Sequence, residues 1–482
     1  MSQADTSVDK RSSYAGFLLL SLVLAAIFLI AVLMPLEPSD YWTYLRIGDE
    51  IARTHTLPTS EFMSYASSGQ PAVYSYWLAS LMFLGIVKAG GLTLTALVMG
   101  ICVVYFYISV WRCLRELKLG PVSAALILLV TALMGSNNWS TRPQVFALPL
   151  FGISLLLLVR WLNGHNSQLW FLPLVTVFWV NLHGSFVLLF VLLFSALALG
   201  GGKRRTILWV SLLCLASSLL NPYGPQIWNN TFGMIGNDTI GQFSGEWQPP
   251  VNVGWQMNLF FASFLIVIFV SAFTKVHVKP IWWFWFLGFG WMALSSVRYD
   301  IWFSVIVALL LAQLCEPWLR QTLDRKPILS NRGFNLTLGI LILAGTLAFV
   351  PGIRQRWWSQ SPANLTESTP VEAATWLQEH PELPDNVWSN WVASIYMSYA
   401  VPERKVWMTN RIEDYNEEVL LDNKRISAAP FDWQEILGKY KIKTLLLDRR
   451  YDSALLEAAL DSGAWQQVYQ NDQSIILVFD NQ

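Results

Sequence analysis

Residues 14–51 contain the pattern that decides the fold; they read YAGFLLLSLVLAAIFLIAVLMP and then LEPSDYWTYLRIGDEI. The first part has no charged residue and exceeds the roughly 20 residues that an α-helix needs to cross a bilayer. The second part carries Tyr44, Ile47 and Ile51 at helical spacing, which predicts an interfacial helix that begins near Asp40. We therefore expect the chain to start with an uncleaved membrane span, followed by a helix at the membrane surface.

The composition extends this pattern to most of the chain. Of the 482 residues, 54% are hydrophobic and 13% are charged, and ordinary soluble domains carry about twice that charged fraction. The 25 tryptophans suit membrane–water interfaces. The lipid bilayer is therefore the expected solvent for most of the chain. The formal net charge is zero, which gives no electrostatic reason to expect nucleic-acid binding.

Lysines and arginines in the loops set the predicted orientation, because they favour the cytoplasmic side. The basic clusters at 112–118, 203–205, 275–279 and 320–332 agree on one side only if an early apolar run does not span. We expect the run at 72–88 to lie in the outer interface, which leaves about eleven transmembrane helices and a cytoplasmic N-terminus. The twelve runs are 14–35, 72–88, 92–111, 121–136, 144–160, 168–181, 184–200, 206–221, 257–274, 280–297, 300–315 and 333–351.

From residue 352 the sequence changes to short strand-like and helical segments, which predicts a small α/β domain on the extracytoplasmic side. The predicted architecture is an all-α polytopic domain at 1–351, with interfacial helices at about 36–90, followed by an α/β domain at 352–482. The predicted strands are 386–389, 405–408, 443–447 and a final hairpin of WQQVYQ and SIILVFD; helices are expected from 371 and around 414–424, 431–439 and 453–461.

The polar residues that this topology places on the outer face are the candidate site. A polar group at the end of an apolar span is costly, so its default interpretation is functional. The inner loops contain little besides Lys and Arg, and any active site is expected to face outward. The candidates are Asp40, Arg142, Asn181, His183, Tyr223, Glu246, Trp247, Arg298 and Asp300, to which Arg411 of the C-terminal domain is added.

Three candidates have a specific chemical argument, each with a structural alternative. Either Ser39 or Asp40 simply caps the interfacial helix, or Asp40 acts as a general base. Arg142 either holds a phosphate through its planar guanidinium or reaches for lipid headgroups. His183 either contacts a phosphate or hydroxyl or belongs to a turn at Gly184; no second histidine lies at metal-ligand spacing.

The other candidates have weaker arguments. For Glu246 a solvated loop carboxylate is the favoured interpretation. Arg298 and Asp300 form either a mutual ion pair or part of the site. Arg411 follows a predicted strand, where α/β domains often bind ligands, although most such residues stabilise loops.

These motifs resemble the GT-C superfamily of membrane glycosyltransferases, which includes the protein O-mannosyltransferases and aminoarabinose transferases. The chain looks like a bacterial subgroup of uncertain substrate. The similar segments, which cover nearly the whole chain, are DYWTYLRIGDEI, LPTSEFMSYASSGQPAVYSYWLA, TRPQVF, NLHGSF, NPYG and TNRIEDY.

The resemblance implies transfer of a sugar from a polyprenyl-phosphate-linked donor to a glycan, lipid or protein acceptor. It implies the inner membrane of a Gram-negative cell, with Asp40 as the general base. The resemblance does not imply a definite cofactor. Many relatives have paired acidic residues at the position of Asp40, whereas the neighbours of Asp40 are Ser39 and Tyr41, which argues against a divalent metal. Donor phosphate would be held by Arg142, His183 and Arg298, and substrate by Asn181, Tyr223, Glu246, Trp247, Asp300 and Arg411.

Three other functions remain as alternatives. A transporter or flippase for lipid-linked saccharides would be expected to show broken mid-membrane helices and internal repeats, and the sequence shows neither. A polysaccharide ligase or polymerase would not need Asp40. A non-catalytic GT-C-like assembly factor would use the α/β domain to dock a partner.

Overall fold

The computed structural model describes residues 3–33, 40–165, 167–235, 237–324, 331–349, 365 and 368–480. Helices dominate the first 349 residues. In chain order they are α1 (Gln3–Leu33), α2 (Tyr41–Thr54), α3 (Trp77–Glu116), α4 (Pro121–Gly135), α5 (Gln144–Leu162), α6 (Leu172–Leu182), α7 (Val187–Leu199), α8 (Arg204–Ser217), α9 (Gln226–Ile235), α10 (Asp238–Phe243), α11 (Gly254–Phe273), α12 (Pro280–Ser295), α13 (Asp300–Leu319) and α14 (Arg332–Phe349).

The predicted apolar runs all fall on these helices. α3 joins two of the runs, and its backbone leaves the helical conformation at Gly90 and Gly91, where Gly91 has a φ of +64°. Among the described residues, six helices are long and apolar enough to cross a membrane, and three further apolar helices are shorter. These helices fit a multi-pass membrane protein, and the count of about eleven spans stays a prediction.

Contacts within the chain form two compact units. The first unit comprises Met1–Met34, Ala96–Trp228 and Ser244–Ile353, and the second comprises Pro35–Thr95, Asn229–Phe243 and Arg354–Gln482. The second unit thus combines the predicted first outer loop with the C-terminal segment. The domain boundary predicted at residues 351 and 352 lies outside the described residues.

The first unit is a helical bundle in which α13 packs against α4, α11 and α12. The helical stretch Val297–Leu323, which contains α13, is one of the six candidate membrane spans. Trp302 on α13 is only 1% exposed. α1 packs against α4 at Gly16, where an added Cβ would lie 2.4 Å from Cβ of Pro121. Small residues at such positions allow helix backbones to approach closely.

The second unit contains a four-stranded sheet in the order β1-β2-β4-β3. β1 pairs with β2 in parallel, and the other two pairs are antiparallel. The predicted strands at 386–389 and 443–447 and the terminal hairpin are confirmed. The elements are α15 (Val371–Glu379), β1 (Val387–Ser389), α16 (Trp391–Ala400), α17 (Glu417–Ala428), α18 (Trp433–Lys439), β2 (Thr444–Asp448), α19 (Ser453–Asp461), β3 (Trp465–Gln470) and β4 (Ser474–Phe479).

The predicted strand at 405–408 is wrong. Only Val406 pairs, through isolated bridges to Ser64 and Val387. The Ser64 hydroxyl donates to the carbonyl oxygen of Trp407 at 2.6 Å, so that carbonyl is engaged outside any strand ladder. The helix α16, in turn, was not predicted; the Asn390 side chain caps it by accepting from the backbone N–H of Ala393 at 3.0 Å.

Candidate functional site

Asp40 directly precedes α2, as the sequence predicts. Its side chain makes no capping hydrogen bond to the helix, so the structure does not use it as a cap, and Ser39 lies outside the described residues. The next residues, Tyr41 and Trp42, are buried and fix the start of the helix; the Trp42 ring lies 4.9 Å from that of Tyr396. Asp40 itself is partly exposed at the end of a firmly packed helix.

A second carboxylate lies in the electrostatic environment of Asp40. Burial raises the pKa of Glu413, Arg411 opposes that rise, and the negative charges of Asp414 and Asp40 add to it. Within the described part of the chain, no group of three or more His, Cys, Asp or Glu side chains is arranged to hold a metal ion.

The first unit brings the three predicted phosphate ligands together in what we call the arginine cluster: Arg142, His183, Glu246, Trp247 and Arg298. Arg142 stands just before α5, His183 between α6 and α7, and Arg298 in the turn between α12 and α13. The terminal Nη2 of Arg298 lies 3.4 Å from Nε2 of His183, and both arginines affect the charge state of that imidazole. The three residues meet because each lies in a short break between helices.

Glu246 pairs with Arg142 instead of being a solvated loop carboxylate. The Arg142 guanidinium donates to Oε2 of Glu246, although 43% of the Glu246 side chain is exposed. Burial alone would raise its pKa, but the charge and hydrogen bond of Arg142, with the charge of Arg298, outweigh burial and lower the pKa. The Ser296 hydroxyl donates to the backbone carbonyl of Glu246 at 2.8 Å and fixes this loop to the Arg298 turn.

His183 is neutral in this setting. Its Nδ1 accepts from the backbone N–H of Ser185 at 3.1 Å, and its Nε2 faces the guanidinium of Arg298. Burial lowers the pKa of His183 to about 3, and the charges of Arg298 and Arg142 contribute to the shift. The two arginines therefore supply the positive charge of the cluster, Glu246 offsets one of them, and an excess of one positive charge remains.

Trp247 positions Arg298. The guanidinium carbon of Arg298 lies 5.2 Å from the centre of the Trp247 ring, within the range of a cation–π interaction. The same ring meets Tyr299 edge to face, with the ring centres 6.4 Å apart.

Asp300 pairs with Asn138 in the described structure, which shows no ion pair between Asp300 and Arg298. The Asn138 amide donates to Oδ1 of Asp300, which is 1% exposed at the first turn of α13. Its Oδ2 has no hydrogen-bond partner among the described residues.

Asn181 lies in the last turn of α6, and Tyr223 lies in the NPYG turn. The Asn181 amide donates to the carbonyl oxygens of Val177 and Leu220 at 2.8 and 2.9 Å. The backbone N–H of Tyr223 donates to Oδ1 of Asn221 at 2.8 Å, which shapes the NPYG turn. The Asn181 amide thus joins α6 to the residue before the NPYG turn, and a substrate role for Asn181 and Tyr223 stays a prediction.

Arg411 is buried in the second unit, with 2% of its side chain exposed. Its Nε and Nη2 donate to the two carboxylate oxygens of Asp414 at 2.5 and 3.0 Å. It also donates to the Tyr76 hydroxyl and lies 4.3 Å from the centre of the Tyr74 ring. The contacts of Arg411 thus join the TNRIEDY segment to the predicted first outer loop, which matches the loop-stabilising alternative; its substrate role stays a prediction.

Sequence analysis missed Glu61, which lies beside Arg411 in the second unit. Its Oε2 lies 3.9 Å from Nε of Arg411, and none of its side chain is exposed. Burial raises the pKa of Glu61 to about 7, Arg411 lowers it and Asp414 raises it further. The one available signal was an acidic residue within a loop rich in aromatic residues, LPTSEFMSYASSGQPAVYSYW.

Comparison with protein-family models and with curated proteins finds no match. Among solved structures, the chain is similar to the Archaeoglobus fulgidus oligosaccharyltransferase in its apo form, with a TM-score of 0.60 and 11% identity over 97% of this chain and 74% of that chain. ArnT from Cupriavidus metallidurans, bound to undecaprenyl phosphate, matches with a TM-score of 0.48 and 10% identity over 96% of this chain and 97% of that chain. The first of these likenesses shows that the chain shares the fold of the archaeal oligosaccharyltransferase.

Proposed function

We propose that this protein is a membrane glycosyltransferase of the bacterial inner membrane. It moves a sugar from a polyprenyl-phosphate-linked donor to a glycan, lipid or protein acceptor on the extracytoplasmic side. The arginine cluster carries this proposal, because it places two guanidinium groups and a neutral histidine at the ends of apolar helices. The fold shared with an oligosaccharyltransferase supports the same class of reaction.

Charge development on the leaving phosphate explains the need for the arginine cluster. When the bond between the anomeric carbon and the phosphate oxygen breaks, the electron pair remains on the phosphate. Arg142 and Arg298 stabilise that negative charge, since guanidinium groups match the geometry of phosphate oxygens. His183 and Trp247 hold Arg298 from two directions, so less conformational freedom is lost when phosphate binds.

Asp40 serves as the general base in this proposal. It accepts the proton of the acceptor hydroxyl while the hydroxyl oxygen forms the new bond to the anomeric carbon. The products are the glycosylated acceptor and the polyprenyl phosphate, and the proton then leaves Asp40 for water. A carboxylate that is partly exposed and not used as a helix cap is suited to this exchange.

Sugar transfer by membranes containing the wild type or Asp40→Asn, supplied with radiolabelled polyprenyl-phosphate sugars, tests the proposal. The variant is expected to lose product by about 10²–10⁴-fold, the usual contribution of a general base. Asp49→Asn is the matched control, because Asp49 lies on the same helix and pairs with Lys88 at 3.2 Å on an exposed surface. Arg298→Ala is expected to reduce transfer by roughly 10²–10³-fold.

The outcomes separate the alternative functions. Equal transfer by the wild type and Asp40→Asn would remove Asp40 as the base and favour a ligase or polymerase. A wild type that transfers none of the sugars would contradict the glycosyltransferase proposal and favour a transporter or an assembly factor.

A further inference from the structure

A cleft of about 470 Å³ lies in the first unit where α8 begins. This volume falls within the roughly 300–1,000 Å³ of pockets that hold small ligands. Lys203 comes from the loop before α8, Arg204 and Arg205 are the first residues of α8, and the short 3-10 segment before α6 contributes an indole. The lining residues are Trp170, Lys203, Arg204, Arg205, Thr206 and Trp209.

The charge of the cleft is not neutralised by the described part of the protein. Lys203, Arg204 and Arg205 form no ion pair or hydrogen bond through their side chains with another described residue. Arg160 of the same unit, by contrast, pairs with Glu116 at 3.3 Å. The N-terminus of α8 adds to the positive potential, because Lys203 provides no side-chain cap for its first N–H groups.

The aromatic residues indicate a ligand that is partly apolar. Trp170 and Trp209 are 50% and 51% exposed, and such half-exposed indoles favour the headgroup level of a bilayer. Arg205 and Trp209 are four residues apart on α8 and therefore share a face. The chain neighbours of these two indoles are also exposed and apolar: Phe171 is 62% exposed and Leu208 is 42% exposed.

We propose that this cleft binds the headgroup of an acidic phospholipid, with the phosphate on the three cations and the acyl chains along the adjoining apolar surface. A free phosphate ion would use the same cations but would gain nothing from Trp170, Phe171 or Leu208. The cleft is distinct from the arginine cluster, because it follows α7 whereas His183 precedes that helix. The 13 residues of α7 separate the two positions by about 20 Å.

Binding of fluorescent phosphatidylglycerol and phosphatidylcholine to the purified full-length protein in neutral detergent tests this site. Wild type is expected to prefer phosphatidylglycerol. The double variant R204Q/R205Q is expected to lose roughly 25-fold in affinity for it, about fivefold for each cation. Trp209→Leu keeps the charge and is expected to weaken binding severalfold, which also tests the site if the double variant fails to fold.

The matched control is R112Q/K275Q, which removes two exposed cations elsewhere in the same unit, one on α3 and one in the loop after α11. It is expected to bind phosphatidylglycerol as the wild type does. Equal weakening by both double variants would overturn the proposal in favour of a diffuse charge effect. Competition by inorganic phosphate at the same concentration as the lipid would also overturn it, because the ligand would then be the free ion.

Discussion

Glu246 and a donor phosphate would compete for the same guanidinium group. The carboxylate pairs with Arg142, whose side chain is 18% exposed. The two oxyanions require the same N–H donors. A phosphate must therefore displace the Glu246 carboxylate from Arg142 in order to bind there. In the proposed reaction, Glu246 would therefore affect donor affinity without taking part in the chemistry.

Glu246→Gln is expected to strengthen the binding of polyprenyl phosphate by up to roughly fivefold, the range of a partly exposed ion pair. The measurement is the Kd of polyprenyl phosphate for the purified protein. Glu116→Gln, which removes the carboxylate from the Arg160 pair, should leave that Kd unchanged. Weaker binding by Glu246→Gln would instead indicate that Glu246 contacts the donor.

The buried Glu61 makes the second unit sensitive to pH. Its Oε1 accepts from the backbone N–H groups of Met63 and Ser64 at 2.5 and 2.9 Å. Its pKa is raised from 4.5 to about 7, mainly by burial. Between these two pH values the folded state holds a proton that the unfolded state has lost. The resulting stability is fully present below about pH 4.5 and is lost as the pH rises through about 7.

We expect the thermal unfolding midpoint of the wild type to fall by a few degrees between pH 5 and 8.5. Glu61→Gln should reduce that dependence, since glutamine mimics the protonated acid at every pH. Glu435→Gln, an exposed carboxyl on α18, is the control and should keep the wild-type slope. An identical slope for Glu61→Gln would show that other groups cause the pH dependence.

The candidate residues could be found from the sequence, but most of their partners could not. Arg142, His183 and Arg298 were predicted together because each lies at an outer break between apolar runs. The pairing of Arg142 with Glu246 spans 104 residues of sequence, and the contact between Arg411 and Tyr76 spans 335. Hydrophobic periodicity reports on neighbours within a few residues, so it contains no information on such pairs.

Among the elements, α2 depends on one glycine for its position against α3. A Cβ added at Gly48 would lie 2.4 Å from the backbone oxygen of Ser80, and a backbone atom cannot move aside as the end of a flexible side chain can. The helix that follows Asp40 is therefore held at a fixed distance from the start of α3.

Gly48→Ala is expected to destabilise the second unit by about 1–3 kcal/mol, the cost of overpacking a close contact. Gly85→Ala on α3 is the matched control, because an added Cβ there meets nothing within 4 Å. It should be neutral or stabilise the helix by up to about 1 kcal/mol, as alanine favours helix more than glycine does. Thermal unfolding of both variants gives the comparison, and equal stability would contradict the close packing of α2.

The elements that were predicted correctly are those whose sequence pattern lies within their own residues. Each apolar run yields a helix, and the hairpin of β3 and β4 follows from two short strand-like runs and the turn between them. The helix α16 was missed because WVASIYMSYA is apolar on several sides, and only the cap at Asn390 marked it. Residues 405–408 are strand-like in type, but Val406 makes only isolated bridges to Ser64 and Val387, and these do not extend into a ladder.

For the whole molecule, the eleven-span topology makes a directional prediction. Single-cysteine variants at Asn252 and Ser462, in a background without the native cysteines, are expected to react with an impermeant thiol reagent in intact spheroplasts. A cysteine at Lys275 should react only after permeabilisation, because that loop is predicted to face the cytoplasm. Labelling at Lys275 in intact spheroplasts would reverse the assigned sides.

Composition could reveal a membrane part and an α/β part, but it could not show how the second unit is assembled. The segment 35–95 belongs by contact to the same unit as 354–482, with 229–243 added from between two apolar regions. Lengths of apolar sequence determine which residues enter lipid, whereas long-range pairing determines which loops fold together.

The discontinuous second unit has a consequence for biosynthesis. Ser64 and Trp407 are 343 residues apart, and a ribosome adding about 5–20 residues per second needs roughly 20–70 s to make the second after the first. During that interval the first-loop segment has left the ribosome while its pairing partner has not yet been made. Its backbone groups are then open to other chains, a recognised route to aggregation. A premature stop codon anywhere before position 407 would leave this segment permanently in that state, however complete the helices encoded upstream.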